Sequence, residues 1–112
     1  IMKVEIKKST QPNKKLMAIF TQNGKKKTTH FGAKGMSDFT IHKDKKRREK
    51  YITRHKRDLR TGDPTRAGFL SMYVLWGDEP DLNASIRNYK KRLETYTKTG
   101  KFPRSIKGTK LL

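Results

Sequence analysis

The sequence contains no cysteine, which excludes a disulfide framework and any metal site built on thiolates. The remaining nitrogen ligands are His30, His42 and His55, and none of them has a partner at the spacing of a metal-binding pair. We therefore expect no bound metal and no cofactor.

Motifs of catalysis are also missing. There is no Gly-x-Ser-x-Gly sequence and no nucleophilic cysteine, and no pair of carboxylates stands in apolar surroundings. Lys34 lies between Gly32 and Gly35, but a phosphate-binding P-loop needs Gly-Lys-Ser/Thr at the start of a helix. These absences predict a protein that is not an enzyme and has no small-molecule substrate.

Apolar residues are scarce as well. They make up 31% of the chain, whereas about 45–50% is usual when glycine is counted among them. Only residues 67–76 run for ten positions without a charge, and this run is shorter than the about 20 residues that cross a bilayer. We interpret it as the central helix of one thin core, although its periodicity also allows a strand. We expect Thr65 to cap that helix and Trp76 to pack between the last helix and the sheet.

Positive charge is what the chain has in excess. The formal net charge is +19, and residues 25–60 alone contain fourteen basic and four acidic side chains. Self-repulsion at such a charge opposes a compact fold unless a partner supplies counter-charge. The partner classes that fit are nucleic acid, lipid headgroups and acidic protein surfaces.

The first third of the sequence has the period of β-strands. Residues 2–7 alternate apolar and charged side chains, as a half-buried strand does. Asn23-Gly24 is the strongest two-residue signal for a hairpin, because a type I′ turn needs positive φ at both positions. The numbers of paired residues then sum to 47, which places Leu16 opposite Phe31.

Two later segments have the period of helices. One runs from Asp44, which can cap its start, to Leu59, with an apolar stripe on one side and cations on the other. Asp44 and Asp58 stand four positions from Arg48 and Arg54 and can pair with them. A last helix begins at Asp81 or Asn83 and carries an apolar residue every three or four positions. Four of its cations lie off this seam and are expected to form a second basic face: Arg87, Lys90, Lys91 and Arg92.

These elements predict an α+β fold with an N-terminal β-hairpin or three-stranded antiparallel sheet packed on about three helices. Residues 1–100 form a single small basic domain in this interpretation. Residues 101–112 have no helical or strand period and are expected to form an extended, basic C-terminal arm that becomes ordered only against another molecule.

Candidate functional residues fall into three sets. The predicted core consists of Phe69, Leu70, Tyr73, Leu75, Trp76, Leu82, Ile86, Tyr89 and Leu93. The residues predicted to bind a polyanion or an acidic partner are Lys25, Lys26, Lys27, Lys45, Lys46, Arg47, Lys50, Arg54, Lys56, Arg57, Arg60, Lys90 and Lys91. The arm is expected to bind a partner through Phe102, Arg104 and Ile106.

Several blocks carry a family resemblance. They are Phe31 to Asp44, Tyr51 to His55, Ala67 to Ser71, Leu75-Trp76 and Ser85-Ile86. In these blocks the chain resembles short basic proteins of large double-stranded DNA viruses of the phycodnavirus and mimivirus kind. The resemblance covers roughly residues 28–93 and leaves out the first hairpin and the arm. Such proteins have no established activity, so the resemblance implies a viral origin and association with the virion.

In that setting we expect a minor capsid protein that bridges capsid subunits on the inner side of the shell. Its partners would be capsid proteins, with viral DNA or anionic lipid headgroups as further candidates. It would lie in the virion beneath the capsid shell, and in the host cytoplasm during assembly. The alternative is a sequence-nonspecific DNA-binding or DNA-condensing virion protein. Finger spacing, zipper heptads and aromatic RNP-like strands are missing, so binding would be driven by phosphates.

Overall fold

The computed structural model describes residues 2–110. Its three strands, β1 (Lys3–Lys8), β2 (Lys14–Gln22) and β3 (Lys25–Ala33), form one antiparallel sheet in the order β1-β2-β3. The helices are α1 (Phe39–His42), α2 (Lys45–His55) continued by a 3-10 helix (Lys56–Thr61), α3 (Ala67–Leu70) continued by a π-helical turn (Ser71–Leu75), and α4 (Leu82–Thr99). The predicted α+β class is confirmed, and the sheet has three strands.

The hairpin between β2 and β3 follows the predicted register. Asn23 and Gly24 have φ values of 52° and 77°, the left-handed conformation that this turn requires. Leu16 pairs with Phe31 and Phe20 pairs with Lys27. Because side chains alternate across a strand, this register brings the rings of Phe20 and Phe31 to the buried face of the sheet.

The apolar run at residues 67–76 is helical up to Leu75 and lies at the centre of the core. Phe69, Leu70 and Tyr73 have no exposed surface. The prediction that Thr65 caps this helix is wrong, because no side chain caps it. The Thr65 hydroxyl instead donates to Asp63 Oδ1 at 2.6 Å and accepts from Lys27 Nζ at 2.8 Å.

The nine predicted core residues lie in or against one cluster. Seven of them are buried, while Leu82 and Ile86 are partly buried and pack on the others. Trp76 has two aromatic neighbours that the sequence did not predict. Its ring stacks on Tyr51 of α2, with 4.2 Å between centroids, and lies 5.2 Å from the ring of His42.

The C-terminal segment is extended but packs on its own domain. Phe102 is 8% exposed and Ile106 is 1% exposed, so both side chains belong to the core. The Tyr73 hydroxyl donates to the Arg104 carbonyl oxygen at 2.9 Å, while the Arg104 side chain is exposed. The described part of this segment is thus no free arm, and Phe102 and Ile106 are not open to a partner. Residues 111 and 112 of the predicted arm lie outside the described residues.

Between residues 2 and 110, no helix combines the length and the apolar character needed to cross a membrane. The same residues contain no group of three or more His, Asp or Glu side chains arranged to hold a metal ion.

Candidate nucleic-acid interface

Helix α2 presents its cations because its start and its buried face are both fixed. Asp44 caps it, as predicted, by accepting hydrogen bonds from the backbone N–H groups of Lys46 (2.9 Å) and Arg47 (3.3 Å). Ile52 and, on the 3-10 continuation, Leu59 are buried against the core. With these positions inward, most of the cations of the helix face solvent.

All thirteen predicted polyanion-binding residues are exposed, but they do not form one surface. Lys25, Lys26 and Lys27 lie beside the hairpin turn, and Lys27 is engaged with Thr65. Lys90 and Lys91 lie on α4. The other eight belong to α2 and its 3-10 continuation.

Most of the α2 cations line one or both of two neighbouring depressions. The first, which we call the aromatic cleft, has a volume of about 510 Å³ and is lined by Lys15, Arg47, Lys50 and Arg54 among others. The second is lined by Arg54, Lys56, Arg57, Arg60 and Arg104. Because Arg54 lines both, they form one continuous basic surface. We define the α2 basic surface as Arg47, Lys50, Arg54, Lys56, Arg57, Arg60 and Arg104.

The α2 basic surface has little internal counter-charge, because, among the described residues, the only carboxylates that line its two depressions are Asp38, which pairs with Lys15, and Asp58. None of its seven cations forms an ion pair with another described residue. The predicted pair of Arg54 with Asp58 does not form, because Asp58 Oδ2 lies 3.4 Å from His55 Nδ1 instead. The positive potential is therefore left for an external anion.

Stacked aromatic rings form one wall of the cleft. Tyr51 stacks on Trp76 at 4.2 Å with an interplanar angle of 3°, and on His55 at 4.3 Å with an angle of 25°. Burial raises the pKa of Tyr51 to about 12, against a smaller opposite effect of its hydrogen bond with Ser71. The phenol therefore stays neutral at physiological pH, and this wall is a fixed, largely apolar surface.

Lys15 and Asp38 neutralise each other inside the cleft. Lys15 Nζ lies 2.5 Å from Asp38 Oδ2, and the Asp38 side chain is buried. The other carboxylate oxygen of Asp38 caps α1 by accepting from the Thr40 backbone N–H at 2.8 Å. The free cations of the cleft are therefore the three that α2 provides.

Sequence analysis placed Arg92 on a solvent-facing helix surface, but it is buried. Its guanidinium donates to the carbonyl oxygens of Pro103 (2.6 Å) and Ser105 (2.7 Å) and lies 3.0 Å from Asp78 Oδ2. The other Asp78 oxygen accepts from the Lys107 backbone N–H at 2.7 Å. Asp78 therefore has a structural role, because it and Arg92 hold the C-terminal segment against the domain.

Arg48 is the second buried arginine that sequence analysis missed. It does not pair with Asp44; its guanidinium donates to the carbonyl oxygens of Gly77 (3.0 Å) and Lys107 (2.7 Å). The same group lies over the ring of Phe39, 4.5 Å from the centroid. Arg48 thereby joins α2 to the C-terminal segment and is no part of the α2 basic surface.

Comparison with known proteins adds one match, which spans β1 to the end of α2. Residues 4–55 match the model of a family of unknown function, DUF5754. The matched segment contains the first hairpin, which the viral resemblance left out, and it ends before the 3-10 cations. No curated protein and no solved structure matches the chain.

His42 makes the start of α2 sensitive to acid. Its Nδ1 accepts from the Asp44 backbone N–H at 2.9 Å, and its Nε2 is buried without a hydrogen-bond partner among the described residues. Burial lowers the pKa of His42 and nearby Arg47 lowers it further, while Asp44 and Asp38 act in the opposite direction. A second cation, Lys15, adds a smaller lowering effect.

The unfolded chain therefore takes up the His42 proton before the folded chain does. The stabilisation is complete above the ordinary pKa of about 6.5 and is lost as pH falls through the lowered folded value. We expect the wild-type Tm to fall from pH 7.5 to pH 5 more steeply than that of His42→Asn, measured by thermal melts. Parallel pH dependence of the two proteins would contradict this role.

Proposed function

We propose that this protein binds nucleic acid through phosphate groups, without regard to base sequence, as a structural component of the virion of a large double-stranded DNA virus. The observation that carries the proposal is the α2 basic surface, with seven exposed cations that lack ion-pair partners among the described residues. Binding of phosphates there would release condensed counterions, which favours association.

The spacing of the cations suits a polyphosphate chain. Arg47, Lys50 and Arg54 stand three and four positions apart on one side of α2, so they form a row about 10 Å long. The row continues onto the 3-10 helix through the basic residues from Lys56 to Arg60. Arginine suits such a row because its planar guanidinium can bind two phosphate oxygens at once.

The virion setting is supported by the residue blocks that resemble short basic proteins of large DNA viruses. In this proposal the protein lies beneath the capsid shell, with packaged DNA as its main counter-charge. Anionic lipid headgroups offer the same phosphate chemistry and are the alternative counter-charge.

A minor capsid protein that bridges capsid subunits is the second candidate. Met36 and Ile41 favour it, because they are 64% and 61% exposed and exposed large apolar side chains suit a protein contact. The C-terminal segment, which the sequence predicted to bind a partner, has its two apolar residues, Phe102 and Ile106, inside the domain. We therefore rank nucleic-acid binding first.

Salt dependence tests the proposal directly. Affinity for a mixed-sequence DNA duplex should fall with salt, with a log–log slope of about −0.9 per neutralised phosphate. The triple variant Arg47→Gln, Lys50→Gln and Arg54→Gln should make the slope shallower by about 2.7. A fluorescence-anisotropy titration across salt concentrations measures both quantities.

The matched control is the triple variant Lys25→Gln, Lys26→Gln and Lys90→Gln, which removes the same charge away from the α2 basic surface. It should change the slope less. A flat salt response in the wild type, or equal effects of the two triple variants, would contradict the proposal. Retention with nuclease-treated shells of disrupted particles, together with a flat response, would support the capsid candidate instead.

A further inference from the structure

The aromatic cleft has a continuous set of apolar groups in its lining, beside the Lys15–Asp38 pair and the cations of α2. Its volume of about 510 Å³ is in the range of small-molecule sites, about 300–1,000 Å³. The apolar lining consists of Gly32, Ala33, Met36, Leu75, Trp76 and the ring of Tyr51. Such a cavity suits a flat apolar group larger than an inorganic phosphate ion.

Met36 is an exposed part of this lining. Its side chain is 64% exposed and is therefore accessible to a bound group. It follows Gly35, whose φ of +88° is a left-handed conformation that other residues rarely adopt. The loop thus sets an unbranched, polarisable thioether at an apolar cleft, where it can adapt to a bound group.

The charged side chains that line the cleft limit which ligands fit it. The one carboxylate that lines the cleft, Asp38, is paired with Lys15. The unpaired charges are those of Arg47, Lys50 and Arg54, all exposed and all positive. A ligand that matches the cleft therefore combines a flat apolar ring with phosphate groups attached to it.

We infer that the aromatic cleft binds an unpaired nucleotide of a nucleic-acid strand, with the base against Met36 and the aromatic wall and the phosphates on Arg47, Lys50 and Arg54. This inference rests on the proposed nucleic-acid binding and adds to it a preference for strands that contain unpaired nucleotides. A base inside a duplex cannot reach such a cleft unless it leaves the stack, which costs a few kcal/mol. Because Tyr51 already stacks on two rings, the base packs beside these rings and does not enter between them.

Trp76 reports on the cleft directly, because it lines the cleft and is the only tryptophan in the chain. The probe is an unstructured thymidine oligonucleotide of about ten nucleotides. It should change the Trp76 emission and bind about tenfold more tightly than a duplex of equal length at the same salt. The duplex and inorganic phosphate should leave the emission unchanged.

Met36→Ala distinguishes binding of a base in the aromatic cleft from general attraction of phosphates to the α2 basic surface. Since Met36 is exposed, this variant should fold normally, lose about three- to tenfold in affinity for the single strand and keep its affinity for the duplex. Ile41→Ala is the matched control, because Ile41 is 61% exposed and does not line the cleft. It should leave both affinities unchanged.

The outcomes distinguish this inference from the proposed function. Equal binding of single strand and duplex with unchanged Trp76 emission, or equal losses from both variants, would overturn the cleft assignment and leave phosphate binding intact. The lack of salt-dependent binding to either form would overturn both. A Trp76 response to anionic phosphatidylserine vesicles but not to the oligonucleotide would assign the cleft to lipid and overturn the inference.

Discussion

Replacing Phe102 by alanine is expected to lower the free energy of unfolding by about 3–5 kcal/mol. The side chain is almost fully buried among three rings, with centroid distances of 5.4 Å to Phe69, 5.0 Å to Tyr73 and 5.9 Å to Tyr89. Its removal leaves a cavity in the centre of the core and loses the edge-to-face contacts as well. Since small domains are stable by only about 5–15 kcal/mol, this is a large fraction of the total.

Urea denaturation measures the change as a lower midpoint at constant m-value. Lys101→Ala serves as the control, because Lys101 is the exposed neighbour and its loss should change stability by less than about 0.5 kcal/mol. If the C-terminal segment were a free arm, the two variants would behave alike. That result would contradict the structure described above.

Removing the Asp78 carboxylate should be nearly as damaging. Asp78→Ala leaves the buried guanidinium of Arg92 without its carboxylate, which lies 3.0 Å away, and leaves the Lys107 backbone N–H without its acceptor. The amide of Asn88, which donates to Asp78 at 3.1 Å, loses its partner too. Breaking a buried ion pair from one side typically costs about 3–5 kcal/mol, and we expect a loss of this size.

Glu79→Ala is the control for this prediction, since Glu79 is the adjacent acidic residue and forms no ion pair with a described residue. The double variant Asp78→Leu, Arg92→Met should be more stable than Asp78→Ala, because it leaves no uncompensated charge in the core. Chemical denaturation of the four proteins gives the comparison. If Asp78→Ala lowers the free energy of unfolding no more than Glu79→Ala does, the structural role of the Asp78–Arg92 ion pair is contradicted.

Local patterns were sufficient for much of the fold. The Asn23-Gly24 turn determines the register of its hairpin, because only one pairing follows from a two-residue loop. The sequence predicts helix starts at Asp44 and at Asp81 or Asn83, and the carboxylates of Asp44 and Asp81 do cap these helices by accepting hydrogen bonds from free backbone N–H groups. The exposure of the candidate polyanion-binding cations could also be predicted from the sequence, because charged side chains avoid burial unless they are paired.

The two buried arginines could not be assigned from charge alone. Their partners are carbonyl oxygens far away in sequence, such as Lys107 for Arg48. One signal was available, because Arg48 stands four positions before Ile52 and so lies on the buried stripe of α2. Arg92 likewise lies three positions after the buried Tyr89. In both helices, an arginine beside the apolar stripe donates hydrogen bonds to backbone carbonyl oxygens that are distant in sequence, and it does not face solvent.

The hydrogen bond from Arg48 to the Lys107 carbonyl joins two parts of the chain that are made far apart in time. During translation, α2 leaves the ribosome before Lys107 does, so this contact cannot form until Lys107 has emerged. A chain that stops before Lys107 lacks one of the two backbone carbonyl groups that bind the Arg48 guanidinium. If the proposed function holds, such a chain should bind nucleic acid less firmly than one that extends past Lys107.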